Sequence, residues 1–187
     1  MHQLGRRRFV QGAALGALAF TVGGAKILLT PREARAQGLP LRTLRPGEAE
    51  TLAALGETLV PGAREAGIVH FVDQQLSGPP EEALLEARIL NVRPPYVNFY
   101  RAGLEAVDRA SEKQNAGKRF PDLDAVAQHA FVDRMRQNKI EGWQGPPGSF
   151  VYLVTRSDAV DVVYGTVDGY AKLGVPYMAH IAPTTRW

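Results

Sequence analysis

The 187-residue sequence contains no cysteine. Disulfide bonds, covalently attached c-type haem, cysteine-ligated iron–sulfur clusters and thiol catalysis are therefore all excluded within this chain. A redox centre of any of these kinds would have to lie in another polypeptide.

Acidic residues are also missing from the start of the chain, because no Asp or Glu occurs among the first 32 residues. Arg6 and Arg7 lie in this segment, and Phe9 and Val10 follow them just before an Ala/Gly-rich apolar stretch at 13–25. This pattern resembles a bacterial twin-arginine export signal, which is an address read by a receptor. The resemblance implies that the twin-arginine translocase exports the chain already folded, a route often used by proteins that travel with a cofactor inside.

The length of the apolar stretch favours a cleaved signal over a permanent membrane helix. Its 13 residues would span roughly 20 Å as a helix, against a hydrocarbon core of ~30 Å. Ala34 and Ala36 then supply small residues at alternate positions, as signal peptidase requires, which predicts a 1–36 signal peptide and a mature domain at 37–187 that begins at Gln37. An uncleaved signal anchor is the alternative, because residues 27–29 extend the apolar character beyond Lys26.

The positive charge of the chain belongs to this leader. The whole chain carries 22 Lys and Arg against 19 Asp and Glu. Residues 1–36 hold six of those bases and one acid, so residues 37–187 carry 16 bases and 18 acids. Because the remaining bases are interspersed with acids and form no basic stripe, nucleic-acid binding is not expected.

The remaining 151 residues are enough for one domain with its own core, and their pattern is mainly helical. Proline and glycine breakers and apolar spacings of three and four predict helices at 46–60, 68–76, 81–90, 95–115, 122–135 and 150–164. Asp122 is the expected N-cap of the fifth helix, with Leu123, Val126, Ala130, Phe131 and Met135 facing the core. The Val-rich end of the sixth helix, 160–164, is also compatible with a strand.

The C-terminal region after residue 164 is predicted to be an irregular, Gly/Pro-rich tail with aromatic residues. An apolar tail of this kind has to pack, either on its own domain or on a partner. The expected fold is therefore a small, irregular, mainly α domain with an aromatic tail.

No local motif predicts catalysis or metal binding. His70 lies one helical turn before Asp73, which suggests a polar pair or half of a ligand set, but a helix-end histidine is the simpler interpretation. His129 and His180 have no ligand partner at helical spacing, and no serine lies in a Gly-x-Ser-x-Gly motif. Asp158 and Asp161 share a helix face and are more typical of a solvated face or a partner contact than of an acid–base pair.

Three segments resemble the gluconate 2-dehydrogenase subunit 3 family. They are the run at 59–68 followed by Phe71, the segment at 99–104, and the element at 117–120. The resemblance implies a small, mainly helical, periplasmic subunit without catalytic residues or a cofactor of its own. Its implied partners are a large FAD-containing dehydrogenase of the glucose-methanol-choline type and, in many such systems, a multihaem cytochrome c that supplies haem.

The resemblance suggests that the leader serves the FAD-containing partner, which would be exported together with this chain and reach the inner membrane as part of the complex. The residues expected to contact partners are Pro61, Gly62, Phe71, Trp143, Tyr170, Tyr177, Met178 and Trp187. Two other classes remain open from the sequence. One is a self-contained periplasmic enzyme with a metal held by His70, Asp73, His129 or His180, and the other is an independent structural or ligand-binding module.

Overall fold

The computed structural model describes residues 17–22 and 25–174. The described chain is mainly helical, which confirms the predicted fold class. A two-stranded antiparallel sheet precedes the helices, with β1 at Leu18–Val22 and β2 at Ala25–Leu29. The α-helices are α1 Pro31–Ala36, α2 Pro46–Leu59, α3 Ala63–Ala66, α4 Ile68–Leu76, α5 Glu86–Ile89, α6 Tyr96–Gln114, α7 Ala125–Arg136, α8 Gly148–Tyr164 and α9 Val167–Lys172. Short 3-10 turns occur at Pro80–Glu82 and Phe120–Asp122.

Helices α2, α4, α6, α7 and α8 confirm five of the six predicted helices, although α7 starts later than predicted. In α2, Pro46 occupies the first turn, where its missing N–H costs nothing. Glu48 Oε2 accepts a 2.8 Å hydrogen bond from the Arg45 backbone N–H, which caps a helix whose N-cap residue contributes no side-chain oxygen. The helix ends where Val60 becomes extended, directly before Pro61. The Val-rich segment at 160–164 belongs to helix α8 and is not a strand.

The core consists of two clusters of buried side chains. Helices α2, α6 and α8 contribute to both clusters, because each runs from one to the other. The larger cluster comprises Leu44, Leu52, Val60, Ala63, Ala66, Ile68, Phe71, Val72, Ala83, Leu85, Ala87, Tyr96, Tyr100, Leu104, Val154, Ala159, Val162 and Val163. The smaller cluster comprises Ala54, Leu55, Val107, Ala110, Phe120, Phe131, Val132, Met135, Ile140 and Val151.

The predicted helix at 81–90 is wrong, because the chain forms a 3-10 turn and then the short α5. Ala83 and Leu85 between them are extended, with ψ of 134° and 140°. Side chains from two other helices hold this backbone: Gln75 Oε1 accepts from the Leu84 N–H at 2.7 Å, and Asp158 Oδ1 accepts from the Glu86 N–H at 3.0 Å. Hydrogen bonds to distant residues therefore override the local helical pattern.

The start of α7 also differs from the prediction. Asp122 belongs to the preceding 3-10 turn, and Asp124 is the N-cap, whose carboxylate accepts from the Ala127 N–H at 2.8 Å. Val126 is 82% exposed and Ala130 is also exposed, so neither faces the core as predicted. Phe131 and Met135 are fully buried as expected.

The N-terminal segment contains the sheet, which the sequence did not predict. Strand β1 lies within the apolar stretch at 13–25, and its Phe20 is only 6% exposed. None of the helices that the structure describes is long and apolar enough to cross a bilayer.

The C-terminal region is partly described. Residues 165–174 contain the short helix α9, whose N-cap Thr166 accepts from the Gly169 N–H at 3.0 Å, so this part of the predicted irregular tail is helical. Residues 175–187 lie outside the described residues.

Candidate partner-docking surface

A groove of about 520 Å³ lies between the N-terminal sheet and the ends of α4 and α8. Its walls are mostly apolar, with Asp161 and Thr166 as the polar exceptions. The lining residues are Ala17, Leu18, Ala19, Leu28, Pro31, Phe71, Leu84, Asp161, Val162, Gly165 and Thr166. Concave apolar surface of this kind is typical of interaction sites.

The sheet is held against the helices by one polar contact and by packing. Gln74 Nε2 donates a 2.6 Å hydrogen bond to the Ala19 carbonyl oxygen. Leu18 packs against the larger core cluster, and Phe20 is buried. Strand β1 therefore forms one wall of the groove.

The rim of the groove carries an exposed leucine. Leu84 is 54% exposed, whereas its neighbour Leu85 is fully buried. Because the hydrogen bonds from Gln75 and Asp158 fix the extended backbone on both sides, Leu84 is held on the surface while Leu85 enters the core. This anchored backbone exposes an apolar side chain at the edge of an apolar groove.

Asp158 lies below the surface, in α8, and is fully buried. Its Oδ2 accepts a 2.5 Å hydrogen bond from the Tyr100 hydroxyl, and its Oδ1 accepts from Glu86 N–H. Burial raises the pKa of Asp158 to about 7, although the hydrogen bonds from Tyr100 and Glu86 act in the opposite direction. Burial and the nearby Asp158 likewise raise the pKa of Tyr100 well above its usual value. Asp158 is therefore a structural anchor, not part of a solvated face as expected.

A second buried carboxylate, Asp73 in α4, organises the segment before α2. Its two oxygens accept hydrogen bonds of 2.8 Å from the backbone N–H groups of Arg42, Thr43 and Leu44. His70 does not act with Asp73 as the sequence suggested, since its Nε2 lies 3.1 Å from the Leu39 carbonyl oxygen. Both side chains of the suggested pair therefore hold the 39–44 segment instead of forming half of a metal site.

Arg119 ties α2 to the 3-10 turn at Phe120–Asp122. Its guanidinium donates to Asp108 Oδ2 at 3.0 Å, to Glu50 Oε2 at 2.9 Å and to the Gly47 carbonyl oxygen at 2.9 Å. Asp108 Oδ2 also accepts from the fully buried Thr51 hydroxyl at 2.8 Å. Thr51, Asp108 and Arg119 therefore form hydrogen bonds within the domain, which indicates that they stabilise its fold.

The predicted contact residues lie in different environments. Pro61 is exposed and Gly62 is half-buried. Phe71 lines the groove but is only 7% exposed, so most of its side chain is buried in the core. Trp143 is half-buried against the smaller cluster and donates from Nε1 to the Pro146 carbonyl oxygen at 2.7 Å. Tyr170 is half-buried in α9.

Other sequence-predicted positions fall outside the described residues: Arg6, Arg7, Phe9, Val10, Tyr177, Met178, Trp187 and His180. At the predicted cleavage site, Ala34 and Ala36 both lie in α1, where Ala34 is fully buried and Ala36 is exposed. His129 is exposed, and its Nδ1 lies 2.7 Å from the Ala125 carbonyl oxygen.

Sequence reasoning missed Leu84 and β1 as parts of the surface. Leu84 falls within the predicted helix at 81–90, and the hydrogen bonds of Gln75 and Asp158 with its backbone segment account for its exposure instead. Within the described ranges, no three His, Asp or Glu side chains are grouped closely enough to hold a metal ion.

A family model described as gluconate 2-dehydrogenase subunit 3 matches residues 46–176. The match spans α2 to α9 and so covers most of the domain, including Phe71, Leu84 and Asp158. No curated protein and no solved structure matches the chain. On the length of the family match, the chain belongs to the gluconate 2-dehydrogenase subunit 3 family.

Proposed function

We propose that this chain is the non-catalytic small subunit of a periplasmic, FAD-dependent dehydrogenase of the glucose-methanol-choline type that oxidises sugars or sugar acids. The family match carries this proposal, because the family is named for the third subunit of a dehydrogenase. The subunit binds the FAD-loaded catalytic subunit and escorts it through twin-arginine export. The complex then lies at the inner membrane, where a multihaem cytochrome c is a further candidate partner.

The arrangement of polar groups supports an accessory role. Asp73, Asp108 and Asp158 each accept hydrogen bonds from two or more groups of the same domain. Their hydrogen bonds hold loops and helix ends, which leaves the apolar groove as the most distinctive surface. Such a surface suits binding of another protein more than proton transfer or metal chemistry.

The groove is the proposed docking surface for the catalytic subunit. Phe71 forms part of its lining and Leu84 stands at its rim, which matches the common arrangement of an apolar contact centre. A subunit that binds only the folded partner stabilises that folded state by mass action. Coupling this binding to an export signal would ensure that the FAD-loaded form is the one exported.

The test is to replace Arg6 and Arg7 with Lys in the full-length chain and to produce it, in its native host, together with the FAD-dependent dehydrogenase subunit proposed as its partner. We expect both proteins to remain in the cytoplasm, because the export signal is read through its two arginines. Dehydrogenase activity and FAD content are measured in the cytoplasmic and periplasmic fractions.

The matched control is Arg35→Lys, which makes the same chemical change at an exposed position outside the arginine pair. This variant should leave both proteins in the periplasm. Periplasmic dehydrogenase in the double Lys variant would refute the escort role, and failure of the two proteins to co-purify from the unaltered strain would refute the subunit role itself.

A further inference from the structure

Helix α1 has the hydrogen bonds of a stable structural element. Thr30 and Glu33 form a complete capping box, in which the Glu33 N–H donates to Thr30 Oγ1 at 3.1 Å and the Thr30 N–H donates to Glu33 Oε2 at 2.7 Å. Downstream, the Leu39 N–H donates to the Ala34 carbonyl oxygen at 3.0 Å. Both ends of the helix are therefore closed by specific hydrogen bonds.

The same helix packs into the domain. Ala34 is fully buried and Pro31 is buried beside it. Gly67, between α3 and α4, has a φ of +88°, and a Cβ placed there would lie only 2.2 Å from the Pro31 carbonyl oxygen. This close approach requires glycine and shows that the domain surface is shaped to receive α1. An ion pair between Arg32 and Glu65 adds a contact at the surface.

The peptide bond between Ala36 and Gln37 lies within this hydrogen-bonded end. The Gln37 N–H donates to the Glu33 carbonyl oxygen at 2.9 Å, and the Gly38 N–H donates to the Arg35 carbonyl oxygen at 3.0 Å. Proteases cut exposed segments that are free to open, whereas a bond within a packed and capped helix is reached only by local unfolding. In a protein that folds before export, this bond is exposed but held in a hydrogen-bonded helix end when signal peptidase acts.

We propose that α1 is a permanent part of the mature subunit and that signal peptidase does not cut after Ala36. Residues from Thr30 onward stay attached, and any processing of the leader takes place N-terminal to Thr30. The helix then continues to seal the surface formed by Pro31, Ala34 and Gly67 after export.

The first experiment determines the N-terminus of the periplasmic chain by intact mass and terminal sequencing, in the wild type and in Ala36→Leu. Leucine at exposed Ala36 is compatible with the helix but removes the small residue next to the predicted cut. We expect the same N-terminus in both chains, at or before residue 30. A wild-type chain that begins at Gln37, or loss of processing in Ala36→Leu, would overturn the proposal.

The second experiment does not depend on export or on the dehydrogenase partner. Hydrogen exchange of the purified full-length chain should show the amides of Ala34, Gln37 and Leu39 protected at least 100-fold relative to an unstructured peptide. Exchange of these amides at the unstructured rate would overturn the proposal even if the chain never left the cytoplasm. If these amides are protected but the chain stays in the cytoplasm, the proposed export is wrong, whereas the proposed stability of α1 is supported.

Discussion

The two core clusters are built in different ways. The larger cluster lies beside irregular backbone, and buried carboxylates at Asp73 and Asp158 hold that backbone in place. The smaller cluster is filled mainly by aromatic and aliphatic side chains of long helices, and Phe120 of the 3-10 turn contacts Phe131 at a ring-centroid distance of 5.3 Å. The surface proposed for docking therefore depends on hydrogen bonds from side chains to backbone. Gln75 and Asp158 hold the segment that exposes Leu84, and Gln74 holds strand β1.

The largest expected effect follows from removing an anchor of the larger cluster. Asp73→Ala leaves three backbone N–H groups without their acceptor, and an unsatisfied buried group costs about 1–3 kcal/mol. We therefore expect the free energy of unfolding to fall by about 3 kcal/mol or more, measured by urea denaturation. The matched change near the smaller cluster, Asp124→Ala, removes an acceptor for one N–H at a helix N-cap and should cost about 1 kcal/mol. Equal losses in the two variants would show that the clusters do not differ in their dependence on carboxylates.

A smaller effect is expected where α1 meets the domain. Gly67→Ala places a methyl group against the Pro31 backbone at a left-handed position, so strain and overpacking together should cost about 2–4 kcal/mol. Gly62→Ala is the control, since Gly62 has a similar φ of +90° but its Cβ position has no neighbour within 4 Å. Its cost should be the left-handed strain alone, about 1–2 kcal/mol. The difference in urea midpoints measures the α1 contact, and identical midpoints would mean that α1 does not pack there.

The buried carboxylate Asp158 predicts a pH dependence. Its pKa is about 7 in the folded state, against about 4 for an unfolded aspartate, so between these pH values the folded state binds more protons. Stability contributed by this group should therefore fall as the pH rises from about 4 to about 7, with a limiting slope of about 1.4 kcal/mol per pH unit. Asp158→Asn should remove this slope while retaining acceptor and donor positions for Tyr100 and Glu86.

Thermal or urea unfolding across this pH range measures the difference between wild type and Asp158→Asn. The control is Asp133→Asn, beside the smaller cluster, where hydrogen bonding to Arg136 lowers the carboxyl pKa, so any contribution has the opposite sign and is lost as the pH falls. If the wild type and Asp158→Asn keep parallel stability profiles, Asp158 does not titrate in this window.

The smallest effect on stability is expected at the groove rim. Leu84→Asp changes a 54% exposed side chain and should alter the free energy of unfolding by less than about 0.5 kcal/mol. It should nevertheless reduce co-purification of the dehydrogenase at least 10-fold, because a charge is placed in an apolar contact. Val126→Asp, at an 82% exposed apolar residue outside the groove lining, should leave co-purification unchanged. If both variants co-purify the dehydrogenase equally well, the dehydrogenase binds to a surface other than the groove.

The sequence was sufficient for the main helices, because α2, α4, α6 and α8 combine apolar spacing with clear breakers at their ends. It was insufficient for the 81–90 segment and for the start of α7. In the first case Gln75 and Asp158 bond the backbone from distant helices, and in the second two acids, Asp122 and Asp124, competed for the same cap. Among the residues expected from the sequence to contact partners, Phe71 lines the groove, whereas Leu84, which also lines it, was not one of them.

By itself, the sequence determined the absence of cysteine chemistry, the excess of basic residues in the first 36 positions, the mainly helical class and the family, since each depends on composition or on local spacing. The tertiary structure decided that Asp73 and Asp158 are internal anchors, that Leu84 is exposed and that Ala34 is buried in the domain. The outcomes for Asp73, Asp158 and Ala34 depend on hydrogen bonds and packing between residues about 30 to 70 positions apart, and that for Leu84 also depends on Gln75, nine positions away in another helix. Local pattern carries no information about such contacts.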